Sequence, residues 1–197
     1  QFLKTLDRQN LLSGYAEMLK HGLISEEGHW AELMTFDMDH PDYGKLQQLV
    51  GESVQIKERI VAQDPFEQGI RKALNLGHTI GHAFESFALE REAPVLHGYA
   101  VAWGMVCELY LAHQKTGFPT DKMRQTVQFI KENYGKLAFN CRDYDRLYEF
   151  MKHDKKNAAA GMINFTLLGG IGDIRINQTA TKEEINEALD FYCETMG

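Results

Sequence analysis

Cysteine is scarce in this 197-residue sequence: Cys107, Cys141 and Cys193 show no metal-type spacing, and any pairing leaves one over. That excludes a disulfide framework and a cysteine-based zinc site, and points to reduced thiols in a cytoplasmic protein. Positive charge is in deficit too. A formal net charge of −7 and a pI near 5.6 argue against the broad basic field that binds nucleic acid or anionic membrane surfaces, so no partner of either kind is expected. No apolar run reaches the length of a membrane span, and no signal-type segment precedes the first helical pattern. Repeats and low-complexity linkers are missing as well, and the start at Gln1, without a methionine, leaves room for a longer natural chain. What is present is 44% hydrophobic content, ample for a packed core.

Strand signals are also few, and the periodicity is mostly helical. Leu12, Tyr15, Ala16, Leu19 and Leu23 recur at three and four, "SEEGHWAELMTF" gives a short second helix, and Pro41 opens a longer one. In that longer helix Leu46, Val50, Val54 and Val61 share a face with Lys57 in line. Another helix is predicted from about Leu74 to Leu89, and one more after His97. The stretch Tyr99 to Ala112 is apolar almost all round, with only Glu108 charged, as for a helix buried among others. Gly117 and Pro119 break it, and Thr120 to Tyr134 begins the next. "MINFTLL" and "DIRIN" flank "GGIG" as a β-hairpin, and Thr181 with Glu184 forms the capping box of a last helix. "GGIG" joins two strands instead of opening a helix, so it reads as a turn and not a phosphate loop.

The stretch "RKALNLGHTIGH", Arg71 to His82, places two glycines and two histidines inside a helical pattern. Each glycine weakens a helix interior by about 1 kcal/mol relative to alanine, so something must come close to the backbone there. Helical spacing puts Arg71, Asn75, His78, His82 and Glu85 on one face, apart from the apolar Leu76, Ile80, Ala83 and Phe87. The ordinary alternative is a solvated helix face. Two histidines at i and i+4 suit a shared metal, but "TIG" between them lacks the glutamate a metalloprotease needs as its base. A catalytic zinc takes three protein ligands, so more must come from elsewhere. His97, in "LHGYAVAWGM", and Glu17, in "SGYAEMLKHG", are both glycine-flanked. For Glu17 and Lys20 the plain reading is a surface i,i+3 ion pair. Lys57 among valines either snorkels or faces an anion. Lys155 and Lys156, in "HDKKNAAAG", read as a solvated turn. Cys107 reads as a buried spectator, and His21, His29, His40, His113 and His153 form no constellation.

Taken together and in order, "SGYAEMLKHGLI", "KERIVAQDPFEQGIRKALNLGHTIGHAFE" and "LHGYAVAWGM", with "DKKN" as a weaker fourth element, resemble the 3-dehydroquinate synthase family. The resemblance implies a mainly α fold, the helical C-terminal domain of that family with one small β-hairpin near its C-terminus, spanning 1–197 as one metal- and substrate-binding domain. The family's N-terminal Rossmann-like domain, which carries most of its NAD site, is expected to lie outside this chain. By resemblance, Glu17, His78 and His97 would bind zinc, or cobalt in its place. His82 and Lys20 would be catalytic, and Lys57, Glu67, Arg71 and Asn75 would contact substrate. Lys155 and Lys156 match a phosphate-contacting region.

The reaction so implied converts 3-deoxy-arabino-heptulosonate 7-phosphate, a small sugar-phosphate substrate, into 3-dehydroquinate and phosphate, using and restoring NAD, in an enzyme that is a homodimer when full-length. Glycines 77 and 81 would then let neighbouring helices, or the bound cofactor and metal, approach the backbone. Other readings are a sugar-phosphate cyclase of the amino-dehydroquinate or deoxy-inosose type, an iron-type polyol dehydrogenase, and a non-catalytic helical binding module. Arg71 with Lys57 argues for a carboxylated substrate, and Glu17 with Lys20 counts against the polyol dehydrogenase.

Overall fold

The first apolar stripe becomes α2 (Arg8–Ser25), which follows the single turn α1 (Phe2–Thr5). The computed structural model describes residues 2–154 and 161–197. Asp7 caps α2 by accepting the Asn10 N–H at 2.8 Å, and Leu12, Tyr15, Ala16, Leu19 and Leu23 are all buried, as the spacing predicts. α3 (Glu27–Thr35) and α4 (Tyr43–Gln63) follow, α4 being capped by Asp42 rather than opened by Pro41 itself.

The buried face of α4 is not the predicted one. Leu46, Leu49, Ser53, Ile56 and Ile60 turn inward, whereas Val54 is 48% exposed and Val50 and Val61 are half-buried. Apart from the shared Leu46, the valine row lies one residue on from the core row, about 100° around the helix, and forms the wall of a groove.

The predicted helix from Leu74 to Leu89 is in fact two segments. Ile70–Asn75 is a 3-10 helix, and α5 runs from His78 to Glu90. Between them Leu76 (φ −54°, ψ 130°) and Gly77 (φ 80°, ψ −14°) have the dihedrals of a type II turn, whose second central residue needs positive φ. Arg71 and Asn75 therefore do not share a continuous helix face with His78, His82 and Glu85.

α6 (His97–Thr116) is the central helix, buried nearly all round including Glu108 and Cys107, and it packs against α2, α5 and, further along the chain, α7 (Thr120–Tyr134). The crossing with α5 is very close. A Cβ on Gly81 would lie 3.0 Å from the Ala100 carbonyl oxygen, and one on Gly77 3.0 Å from that of Val101. What comes close to the glycines of "LGHTIGH" is the backbone of α6.

α8 (Tyr144–Asp154) packs on α5, and the antiparallel strands β1 (Met162–Gly170) and β2 (Asp173–Thr181) lead into α9 (Lys182–Met196), with the Thr181/Glu184 capping box in place. The hairpin turn docks on the end of α2, where the Gly172 N–H donates to the Leu23 carbonyl at 2.9 Å. The hairpin also braces the 3-10 segment: Thr166 Oγ1 donates to the Lys72 carbonyl at 2.8 Å. Among the described residues, no helix is long and apolar enough to cross a membrane.

Candidate metal centre

The type II turn starts α5 at His78 and places His82 and Glu85 one and two turns further along the same face, while His97 opens α6 and Glu17 lies in the middle of α2. The three imidazoles converge, with ring centroids 5.3 Å apart for His78–His82, 5.3 Å for His78–His97 and 5.8 Å for His82–His97. Each offers a ring nitrogen within 4.8 Å of the other two. Glu17 Oε1 lies 3.2 Å from His78 Nε2 and 3.6 Å from His97 Nε2.

The far side of every ring is engaged by an acceptor. His78 Nδ1 meets the Leu76 carbonyl at 3.1 Å, His82 Nδ1 meets Asp154 Oδ2 at 2.8 Å, and His97 Nδ1 meets Glu85 Oε2 at 3.1 Å. A carbonyl or an ionised carboxylate only accepts, so these partners hold the ring proton on Nδ1 and leave Nε2 of the neutral ring with a lone pair. For His78 and His97 that lone pair then faces a carboxylate oxygen, an arrangement that calls for a cation between them. Zinc bonds of about 2.0–2.1 Å put tetrahedral ligand atoms about 3.3–3.4 Å apart, and the two observed separations bracket that range. The donor set of two imidazoles and a carboxylate suits a catalytic zinc.

Burial alone would raise the Glu17 pKa, but the His78 ring beside it and the direct pairing with the Lys20 ammonium outweigh it and hold the carboxyl well below the usual carboxylate range. Lys20 is only 4% exposed and pairs directly with the half-buried Glu17, so this i,i+3 pair is a part-buried one and not the surface pair of the plain reading. Burial pushes the Lys20 ammonium pKa down, against the opposing pull of Glu17.

Beside this centre a groove of about 760 Å³ runs between α2 and α4, walled by Leu11, Val50, Val54 and Val61 and reaching Glu17, His21, Ser53 and Lys57. Lys57 is exposed there, so no lysine is buried among the valines.

The other predicted substrate residues form a separate group. Asn75 Nδ2 donates to Glu67 Oε1 at 3.0 Å, and Arg71 Nη1 donates to the Pro65 carbonyl at 2.8 Å. Asp64 staples their loop by accepting the backbone N–H groups of Gln68, Gly69 and Arg71 at 2.7–3.0 Å, and Glu67 sits at φ 55° within it. Lys155 and Lys156 lie outside the described residues.

Residues 14–157 match the family model described as 3-dehydroquinate synthase C-terminal, a span that contains every residue of this centre. The chain belongs to the 3-dehydroquinate synthase family. It is 62% identical over its full length to the 3-dehydroquinate synthase of Parabacteroides distasonis, covering 55% of that protein, and 35% identical over 95% of its length to that of Bacillus pumilus, covering 51%. The chain thus spans about half the length of these curated relatives. Among solved structures, 2-epi-5-epi-valiolone synthase from Streptomyces hygroscopicus, with NAD+ and Zn2+ bound, superposes with a TM-score of 0.80 at 24% identity, over 98% of this chain and 54% of that one. A 2-deoxy-scyllo-inosose synthase complexed with carbaglucose-6-phosphate, NAD+ and Co2+ gives 0.78 at 20% identity, over 94% of this chain and 53% of that one. At these identities the two structures establish the fold alone.

Sequence reasoning for this synthase-family chain misses several supporting groups. Asp154 escapes it because it lies 72 residues from His82, and Glu85 falls on the right face but without a partner. His21, assigned to no constellation, is 6% exposed, hydrogen-bonds Ser53 through Nδ1 and lines the groove, and burial pushes its pKa down to about 4. Its spacing from Glu17 and Lys20, at i+4 and i+1 on α2, is the available signal. The glycine flanking divides: Gly98 packs on the backbone of Ser13, whereas a Cβ on Gly14 would meet nothing within 4 Å.

Proposed function

We propose that this chain is the metal- and substrate-binding half of a 3-dehydroquinate synthase, a phosphate-eliminating carbon–oxygen lyase that converts 3-deoxy-arabino-heptulosonate 7-phosphate to 3-dehydroquinate. The observation that carries the reading is the shared Glu17 oxygen between two Nε2 atoms whose rings are each held from behind. Glu17, His78 and His97 would hold a divalent ion, zinc or cobalt. When bound, such an ion acts as a Lewis acid on a substrate hydroxyl and on the carbonyl derived from it.

The chain's own residues then divide the remaining work. His82, with Nδ1 on Asp154, presents Nε2 to take or return a proton at the substrate. Lys20 places a buried positive charge against Glu17 and favours an anionic substrate group nearby. Arg71 has donors beyond the Nη1 that it gives to Pro65, and these offer a carboxylate paired hydrogen bonds; Lys57, in the groove, adds a point charge. Glu67 orients Asn75 toward substrate hydroxyls. Lys155 and Lys156 are assigned to the phosphate. The described residues contain one two-stranded antiparallel sheet and no strand–turn–helix unit of the dinucleotide type, so no residue here is assigned to NAD, and the isolated chain is proposed to be inactive.

The test joins this chain to the N-terminal half of the Parabacteroides distasonis relative and follows phosphate release from the heptulosonate phosphate. Turnover that disappears with His78→Ala supports the reading. A folded, zinc-loaded fusion that releases no phosphate overturns the proposed activity.

A further inference from the structure

The geometry points to Glu85 as a positioning residue of the metal centre: its carboxylate fixes the His97 imidazole in the tautomer and orientation that present Nε2 to the ion. The assignment rests on the metal-centre reading. Glu85 is on α5, seven residues beyond His78 and three beyond His82, so one helix face supplies a ligand, the proposed proton carrier and the support for a ligand on another helix.

The two histidine ligands are held differently. The His78 side chain is 15% exposed, and its Nδ1 bonds to the Leu76 backbone carbonyl, which the type II turn fixes in place. His97 is the first residue of α6, and its side chain is 45% exposed. Its polar partners are Glu85 Oε2 on Nδ1 at 3.1 Å and Glu17 Oε1 beyond Nε2 at 3.6 Å. Without Glu85, a neutral His97 ring is free to rotate and to carry its proton on Nε2, which removes the lone pair the ion needs. A carboxylate on the opposite nitrogen also makes the imidazole a stronger donor. In the sequence Glu85 ends the polar stripe without a role; here it has one.

The experiment uses this 197-residue chain, with zinc as the probe in competition against a chromophoric chelator. Loss of a carboxylate behind a histidine ligand costs about 10–100-fold in metal affinity, and because Glu85 is 38% exposed the expected loss for Glu85→Ala is near the tenfold end. The metal-free melting temperature should be unchanged. Long-range nitrogen–proton spectra of the metal-free chain should show His97 protonated on Nδ1 in the wild type and a mixture of tautomers in Glu85→Ala. Glu85→Gln, whose amide oxygen still accepts the Nδ1 proton, should restore the tautomer and part of the affinity. In a His97→Ala background, Glu85→Ala should cost nothing further, since it acts through that ring.

Wild-type zinc affinity in Glu85→Ala, or a full additional loss in the His97→Ala background, overturns the assignment alone. A wild-type chain that takes up no zinc overturns the metal-centre reading and this assignment with it.

Discussion

Replacing Gly104 by alanine is expected to loosen the α5–α6 crossing and the metal centre together. A Cβ at this position would lie 2.6 Å from Gly81 N and 2.9 Å from Gly81 Cα, with the Gly77 carbonyl oxygen closer still. All three atoms are backbone, so no side chain can swing aside. Restoring an ordinary contact with that oxygen requires the helices to part by roughly 1.2 Å, and overpacking of this kind costs about 1–3 kcal/mol. The better helix propensity of alanine returns about 1 kcal/mol. With a rigid obstacle the cost falls at the upper end, for a net loss of about 2 kcal/mol and a fall in Tm of roughly 4–8 °C.

The displacement also separates His78, on α5, from His97, on α6. Metal sites tolerate ligand shifts of about 0.2 Å, so zinc affinity should drop by an order of magnitude or more. Gly51→Ala supplies the reference, because it lies in α4, where a Cβ would meet nothing within 4 Å. It should stabilise the chain by up to about 1 kcal/mol and leave zinc binding alone. Thermal unfolding and chelator competition on the two variants decide the matter: a Gly104→Ala chain as stable as Gly51→Ala, with wild-type zinc affinity, refutes the reasoning.

His78→Ala and His97→Ala are each expected to lower zinc affinity sharply, whereas His82→Ala should chiefly lower turnover in the fused enzyme; equal zinc loss in His82→Ala and His78→Ala would contradict the division of roles. Arg71→Lys keeps the charge but loses the paired donors, so kcat/KM for the heptulosonate phosphate in that fusion should fall tenfold or more, about 1.4 kcal/mol, and an unchanged value would remove Arg71 from carboxylate binding. His21 is buried with a folded pKa pushed down to about 4, against about 6.5 in the unfolded chain. The unfolded state therefore binds the extra proton between these values, and stability is full above about pH 6.5 and declines as pH falls toward 4, by up to about 3 kcal/mol. Urea unfolding at pH 7.5 and pH 5 should show a smaller pH difference in His21→Gln than in the wild type; identical differences would mean that His21 is not held neutral.

What can be read from the sequence is local. The α2 stripe, the buried character of α6, the bounds of α7 and the Thr181/Glu184 capping box each depend on residues within a turn or two of one another, and each is found where the pattern puts it. The errors arise where a neighbour elsewhere in the chain decides the outcome. α4 has two adjacent apolar rows, and only packing against distant elements, α2 and the 3-10 segment among them, selects the leucine–isoleucine row for the core. The break at Leu76 and Gly77 is hidden because steps of three and four suit a 3-10 turn followed by an α-helix as well as one unbroken helix.

That hidden break bears directly on the site. Had the helix continued through residue 77, the Leu76 carbonyl would have been drawn into the helical ladder and lost as a partner for His78 Nδ1. The turn instead leaves that carbonyl to the ring, so a backbone group does for His78 what the Glu85 carboxylate does for His97. Gly77 meets both demands: positive φ for the turn, and no Cβ where α6 passes. An alanine there would meet the Val101 carbonyl and Met105 and would also strain the backbone, so the cost should exceed that of a packing defect alone. Helical spacing groups His78, His82 and Glu85 and the family resemblance brings in Glu17 and His97, but neither reveals the orientation of these side chains. It is set by a turn, a helix crossing and two carboxylates, Glu85 and Asp154, whose partners lie 12 and 72 residues away.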